Sequence, residues 1–311
     1  MTFRRLFAAA FALLVAACAT VPKLPLAGPE LIEWGPLAAA DLPDQRVTIW
    51  LPPEYSKRPA ARFPVLYMWD GQNLFTPART QYGKAWMVHQ VLDGVVADRS
   101  AEPHIVVGVH SPPGADRYRV YLPQKVADRT SGKVRAAFES QAGGPFAADR
   151  QLAWVADVLK PRIDMTYRTR PDADETTVVG ASMGGLMACY AAIERPEVFG
   201  RAGCVSVPFA PLDPALADAN GDAIASAWST YLGEHLGSPD GRRIWMDHGM
   251  VGMDAAFGPW QDKVAGDFAA AGWRDGADYT ARAFPGAEHD ENFWRARLPE
   301  ILRWLWRPDE R

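Results

Sequence analysis

Gly180-Ala181-Ser182-Met183-Gly184 follows the β-branched run Thr176-Thr177-Val178-Val179 and precedes Gly185-Leu186-Met187-Ala188-Cys189-Tyr190-Ala191-Ala192-Ile193. A strand, a Gly-x-Ser-x-Gly turn and a helix in succession make a nucleophile elbow. The turn is so tight that side chains two residues before and after the serine would meet neighbouring backbone, which is why both positions are glycine. The serine is then held on a strained turn with its hydroxyl above the sheet edge. The helix that follows aims unpaired N–H groups and its positive dipole end at the place where an oxyanion forms during acyl transfer. The pattern predicts a serine hydrolase.

A serine hydroxyl needs a base to take its proton, and the base needs a carboxylate to fix its tautomer and stabilise the imidazolium. In α/β hydrolases the chain order is serine, then acid, then histidine. His235, His248 and His289 follow Ser182. His289 alone lies in a turn, Pro285-Gly286-Ala287-Glu288-His289, between the last strand and the last helix, where this fold delivers its base. Two carboxylates compete for the third role. Asp247 ends the strand Ile244-Trp245-Met246, and Asp254 lies in the loop beyond it. A loop carboxylate can swing back to the histidine, whereas one at a strand end can instead brace the loop by accepting backbone N–H groups. For the oxyanion, one donor is the N–H of Met183. The other comes from the turn after Pro64-Val65-Leu66-Tyr67-Met68, from Gln72 or from Gly71, whose missing side chain would let backbone approach substrate.

These residues require an alternation of strands and helices, hence a largely parallel sheet covered by helices. Strands are predicted over 46–51, 64–68, 105–109, 176–180, 203–207, 244–246 and 279–283, and helices over 85–97, 150–165, 183–194, 223–236, 260–271 and 291–306. In the last helix Trp294, Leu298, Ile301, Leu302 and Leu305 make one apolar stripe, with Pro299 inside it as a place for a kink or a fresh start. The irregular stretches 111–141 and 208–240 follow strand ends and are expected to supply pocket walls and a cap. Trp69 and Trp86 could stack on sugars or aromatic acyl groups, although packing is the commoner use of tryptophan.

With 48% hydrophobic residues and 12 tryptophans, the 311-residue chain can bury a large core. Its net charge of −4, without basic runs, argues against nucleic acid as a partner. The N-terminus is a separate object: Arg4 and Arg5, an apolar stretch from Leu6 to Ala17, then Val15-Ala16-Ala17-Cys18. That segment reads as a secretory signal. It resembles the bacterial lipoprotein signal, which implies cleavage before Cys18, lipidation of Cys18, and attachment to a membrane of the cell envelope. Residues 1–17 are then the signal, 18–36 a Pro-rich tether and 37–311 the catalytic domain. Cys189 and Cys204 read as buried thiols, with a disulfide between them left open.

The segments Val65-Leu66-Tyr67-Met68-Trp69-Asp70-Gly71-Gln72-Asn73-Leu74-Phe75, Ile105-Val106-Val107-Gly108-Val109, Val179 to Leu186 and Pro196 to Phe199 together resemble an esterase family of α/β hydrolases. It includes enterochelin-type esterases, esterase D, feruloyl and acetylxylan esterases and mycolyltransferases. The resemblance runs from about residue 45 to the C-terminus. It implies an α/β-hydrolase fold and a serine carboxylic ester hydrolase that needs no cofactor or metal. A family Gly-x-x-x-x-Asp arrangement maps onto Gly249 and Asp254 and favours Asp254 as the acid. Pro285, Gly286, His289, Glu291 and Trp294 match the context of the family's base. The chain departs from the family in Arg117-Tyr118-Arg119-Val120-Tyr121, where relatives carry glutamate before the tyrosine, and in Asp290, a frequent asparagine. Both departures bear on substrate choice: carbohydrate, siderophore and other small esters all fit the resemblance. Acyl transfer to an alcohol, peptide cleavage, and a surface-anchored binding protein without turnover are the rival functions.

The Cys18 expectation is testable. Cys18→Ser should release the protein from the membrane fraction with the specific activity of the folded domain unchanged, and mass spectrometry of the mature N-terminus should find an acylated Cys18 in the natural sequence.

Overall fold

A computed structural model describes residues 30–80 and 82–308. The expected signal segment, Cys18 and the first part of the expected tether lie outside them. Eight strands form one sheet: β1 (Leu31–Leu37), β2 (Gln45–Trp50), β3 (Val65–Trp69), β4 (Ile105–Val109), β5 (Thr176–Ala181), β6 (Arg201–Val205), β7 (Arg243–Gly249) and β8 (Tyr279–Phe284). Their order across the sheet is β1-β2-β4-β3-β5-β6-β7-β8. β1 and β2 pair antiparallel at one side, and from β4 to β8 every pairing is parallel.

The central strands are buried on both faces, which explains their continuous apolar runs. In β3, Val65, Tyr67 and Trp69 enter one apolar cluster and Leu66 and Met68 the other. The helix Met183–Glu194 packs into the first cluster, and the helices Val88–Ala97 and Glu291–Trp306 into the second. This is the layered α/β-hydrolase architecture that the sequence predicts, with the strand ends of the parallel part gathered along one edge.

The segment 18–36 expected as a tether overlaps the sheet. Residues 31–37 form β1, paired with β2 from Leu31 opposite Trp50 to Leu37 opposite Gln45. Proline misleads here because edge strands tolerate it: Pro36 lies next to a register shift on the outermost strand, where a missing N–H breaks no interior ladder. Pro299 likewise fails to end the last helix, which runs unbroken over Glu291–Trp306. It sits on the half-exposed side of that helix, where water can satisfy the carbonyl that loses its partner.

The stretch 111–141 is not irregular but folds as short helices, Ala115–Tyr121, Gln124–Ala127 and Gly132–Ala142. Their Pro and Gly residues punctuate helices rather than replace them. Within 208–240, Asp213 caps the helix Pro214–Ala219 by accepting from Ala215 N at 3.0 Å, and Gly221–His235 follows. Cys189 and Cys204 are free thiols, 1% and 0% exposed, and burial pushes the Cys204 thiol up. Among the described residues no helix is long and apolar enough to cross a membrane.

Trp294, Leu298, Ile301, Leu302 and Leu305 are all buried, four of them at 0% exposure, so the last helix is fastened to the sheet by the stripe seen in the sequence. Leu298→Ala should therefore lower unfolding stability by about 2–5 kcal/mol, read from the guanidinium midpoint at constant slope.

Candidate active site

Ser182 follows β5 directly and has φ 57° and ψ −130°. Its N–H donates to Val205 O on β6 at 2.9 Å, which pins the turn against the neighbouring strand. The flanking glycines are sterically required. A Cβ at Gly180 would lie 2.3 Å from Gly184 O, and one at Gly184 would lie 2.9 Å from Asp70 Oδ2 and 3.2 Å from Trp69 Cβ. Gly185 carries a further constraint, since its Cβ would meet Val205 O at 2.7 Å. Met183 opens the helix, so its N–H belongs to the first-turn donors that have no acceptor within the helix.

Asp70, next after β3, is also left-handed, at φ 57° and ψ 48°. It is held by a forked ion pair, Arg117 Nε to Oδ1 at 2.8 Å and Nη2 to Oδ2 at 2.7 Å, while its own N–H donates to Tyr121 OH at 3.2 Å. That clamp fixes the turn Gly71–Asn73. The reason for Gly71 differs from the one the sequence suggests. Its Cβ would strike Gly108 C at 2.5 Å and His110 Cδ2 at 2.7 Å, so glycine here serves the close approach of the turn to β4, and the residue faces a small groove of about 90 Å³ instead of the main cavity. Gln72 does line the main cavity. Its side chain is locked by Ser111, donating Nε2–H to Oγ at 2.8 Å and accepting the Ser111 N–H at 3.2 Å.

His289 stands in the turn before the last helix, half-buried, and its Nδ1 lies 2.5 Å from Asp254 Oδ1. Trp294 and Phe257 meet the imidazole edge to face, at 5.0 and 5.8 Å between ring centroids. Asp254 is fully buried. Its Oδ2 accepts from the Gly249 amide at 2.7 Å and from Ser206 Oγ at 2.5 Å. Burial alone would raise this carboxyl, but the hydrogen bonds from His289, Ser206 and Gly249 outweigh it and hold Asp254 below the usual carboxylate range.

Asp247, equally buried, does something else. It accepts from the Ser206 amide at 3.0 Å, from Trp245 Nε1 at 2.7 Å and from Arg297 Nη2 at 2.7 Å. For this group burial wins, and its carboxyl is pushed up despite Arg297. The two other histidines after Ser182 are occupied elsewhere: His235 pairs with Glu194 at 3.1 Å and stacks on Tyr231, and His248 Nδ1 contacts Gly249 O at 2.6 Å.

Ser182 and His289 share a cavity of about 710 Å³ with Gln72. Its walls include Trp69, Tyr82, Trp86, Tyr118, Met253 and Trp294, with Lys84, Arg117, Asp290 and Glu291 as charged groups. The cations are paired, Lys84 with Asp290 at 2.8 Å and Arg117 with Asp70. Burial raises the Glu291 carboxyl, whose Oε1 accepts from Asn73 Nδ2 at 3.3 Å. Trp69 and Trp86 are each 2% exposed, so they pack into the floor more than they offer faces. Of the two stretches expected to wall the pocket, only 111–141 contributes, through Arg117 and Tyr118. Tyr82, Lys84 and Met253 escaped the sequence reading because they come from loops whose course has no local signature. Among the described residues no cluster of His, Cys, Asp or Glu is arranged to hold a metal ion.

A mostly parallel sheet with a serine on a strained elbow at its edge, and a histidine bonded to a loop carboxylate beside it, defines an α/β hydrolase. The chain belongs to the family described as "Putative esterase", whose sequence profile matches residues 43–305. It is 27% identical over 165 residues to an endo-1,4-beta-xylanase/feruloyl esterase of Xylanibacter ruminicola, a match covering 52% of this chain and 19% of that one. The chain spans between 19% and 60% of the length of the curated relatives it matches. Among solved structures it resembles a ferulic acid esterase, with TM-score 0.62, 18% identity and coverage of 89% and 98% of the two chains. It also resembles the enterobactin esterase FES of Shigella flexneri, with TM-score 0.61, 21% identity and coverage of 94% and 61%.

Because Asp247 balances the buried Arg297, which is itself only 4% exposed, Asp247→Asn should cost about 3–5 kcal/mol of folding stability by leaving a buried guanidinium unpaired. Denaturant melts of this variant against Asp254→Asn test it: the Asp247 variant should be the less stable.

Proposed function

We propose that this protein is a carboxylic ester hydrolase in which Ser182 is the nucleophile, His289 the base and Asp254 the residue that orients it. The observation that carries the reading is the 2.5 Å contact of His289 Nδ1 with Asp254 Oδ1, made beside a serine on a left-handed elbow in the same cavity. With Nδ1 committed to the carboxylate, Nε2 is the ring nitrogen left to take a proton. Ser182 Oγ attacks the ester carbonyl as its proton passes to His289 Nε2. The C–O bond to the alcohol then breaks, and His289 returns that proton to the leaving oxygen. Water repeats the sequence on the acyl-enzyme and releases the acid.

The amides of Met183 and Gln72 are assigned to the oxyanion. Gln72 is preferred over Gly71 because Gln72 shares the cavity with Ser182 while Gly71 is turned towards β4. An aromatic-rich cavity whose cations are already paired suits a neutral, flat acyl or alcohol group better than a strongly anionic one. Aryl, feruloyl-type, sugar and catecholate esters are the compounds to try, in keeping with what the names of the similar proteins say those proteins act on. We place the enzyme at the bacterial cell envelope, anchored through Cys18, a reading supported by the signal-like segment that precedes it.

On a short-chain aryl ester, Ser182→Ala and His289→Ala should each lower kcat by at least about a thousandfold, with the double variant little worse, because the residues act as a unit. Asp254→Asn should lower kcat by roughly four orders of magnitude with folding retained. A fluorophosphonate probe should label the natural protein and not Ser182→Ala; full turnover by Ser182→Ala would overturn the mechanism.

A further inference from the structure

Ser206 is the first residue past β6 and is left-handed, with φ 45°. It stands between the two carboxylates. Its backbone N–H donates to Asp247 Oδ1 at 3.0 Å, and its hydroxyl oxygen lies 2.5 Å from Asp254 Oδ2. The same oxygen accepts from Trp294 Nε1 at 2.9 Å and from Arg297 Nη2 at 2.6 Å. Ser206, Asp247 and Asp254 are completely buried, Arg297 is 4% exposed and Trp294 8%.

A serine hydroxyl has two lone pairs and one proton. The indole and guanidinium donors occupy both lone pairs, so the proton can go only to Asp254. Arg297 reinforces this reading by the way it is used. Nη2 bonds both Asp247 Oδ1, at 2.7 Å, and Ser206 Oγ, while Nε and Nη1 are buried without a hydrogen-bond partner among the described residues. An ion pair built for stability alone would present its fork to both carboxylate oxygens. Here the guanidinium is instead aimed edge-on at the point between Asp247 and Ser206, with its face over Phe284 at 5.0 Å. Asp247 also neutralises Arg297. An unbalanced guanidinium in this position would compete with the imidazolium of His289 for the Asp254 carboxylate.

We infer that Ser206 is a positioning residue for the ester hydrolysis, with Trp294 and the Arg297–Asp247 pair directing its only proton onto Asp254 Oδ2 so that Oδ1 is held toward His289. The inference rests on the proposed roles of Ser182, His289 and Asp254. It gives Asp247 a function that neither its burial nor its place within β7 discloses. The departure point of the network is also mechanistically apt: Trp294 touches the imidazole and the Ser206 hydroxyl together, so one helix aligns base and acid.

The test compares Ser206→Ala with Ser206→Gly. Both delete the hydroxyl, but glycine relieves the left-handed backbone and alanine does not. On a small aryl ester, kcat should fall about ten- to hundredfold in both variants with KM little changed, as expected for misplacing a reacting group. Melting temperature should separate them, glycine at or above alanine, without separating their kcat values. Natural kcat in either variant, or activity that follows melting temperature with glycine recovering what alanine loses, would overturn the inference and leave Ser206 a folding residue. Ser182→Ala measured alongside keeps the two readings apart: if it is inactive while the Ser206 variants turn over normally, only this inference fails, and if it retains turnover, the triad fails with it.

Discussion

Asp70, Ser182 and Ser206 stand at the ends of β3, β5 and β6, strands adjacent in the sheet, and each has φ between 45° and 57° without being glycine. A left-handed residue in this role costs on the order of 1–3 kcal/mol. Parallel strands deliver their chain to one edge, and a chain that continued straight would carry these side chains away into solvent. The abrupt turn keeps all of them at the edge, where Asp70 and Ser182 line the cavity and Ser206 lies behind it. Each is held by a bond that a relaxed backbone would lose: Asp70 by Arg117, Ser182 by Val205 O, and Ser206 by Asp247. The turns also lean on one another, since Gly184 has no room for a side chain because Asp70 and Trp69 are there.

Two carboxylates in this edge are equally inaccessible to water yet shift in opposite directions. Asp247 is raised because burial outweighs its single cation and two neutral donors. Asp254 is lowered because the imidazole, a hydroxyl and an amide converge on it at 2.5 to 2.7 Å. Opposed environments of this kind separate a charge that supports structure from one that faces chemistry. Ser206 links them, giving its N–H to one and its hydroxyl to the other.

The cavity is assembled from parts that differ in rigidity. Its floor comes from strand ends and the last helix, whose apolar stripe is sealed against the sheet. Its rim comes from loops that leave Tyr82 69% and Met253 64% exposed. A rigid floor beneath a rim of loops lets one fold carry many different cavity linings. The two departures from the family pattern lie at different depths: Val120, in the place of the family's glutamate, is buried in the core, while Asp290 holds Lys84 at the cavity wall.

The sequence by itself determined what neighbouring residues can enforce. Gly180 is dictated by the backbone of Gly184 four residues on, the stripe on the last helix by a period of 3.6, and the turn at His289 by proline and glycine beside it, whereas Gly184 answers to the distant Asp70 and Trp69; the helix bounds Met183–Glu194 and Glu291–Trp306 were legible to the residue. Tertiary structure decided everything that depends on distance across the chain. Residues 31–37 became a strand because β2 offered an open edge, not because of their composition. Gly71 was fixed by β4, 37 positions away from it at Gly108. Asp254 rather than Asp247 reached His289 across 35 positions, and Arg297 drew Asp247 into the core across 50. Local sterics and periodicity act between neighbours and are written in their order, whereas the partner of a buried charge is chosen only when the sheet has brought distant strand ends together.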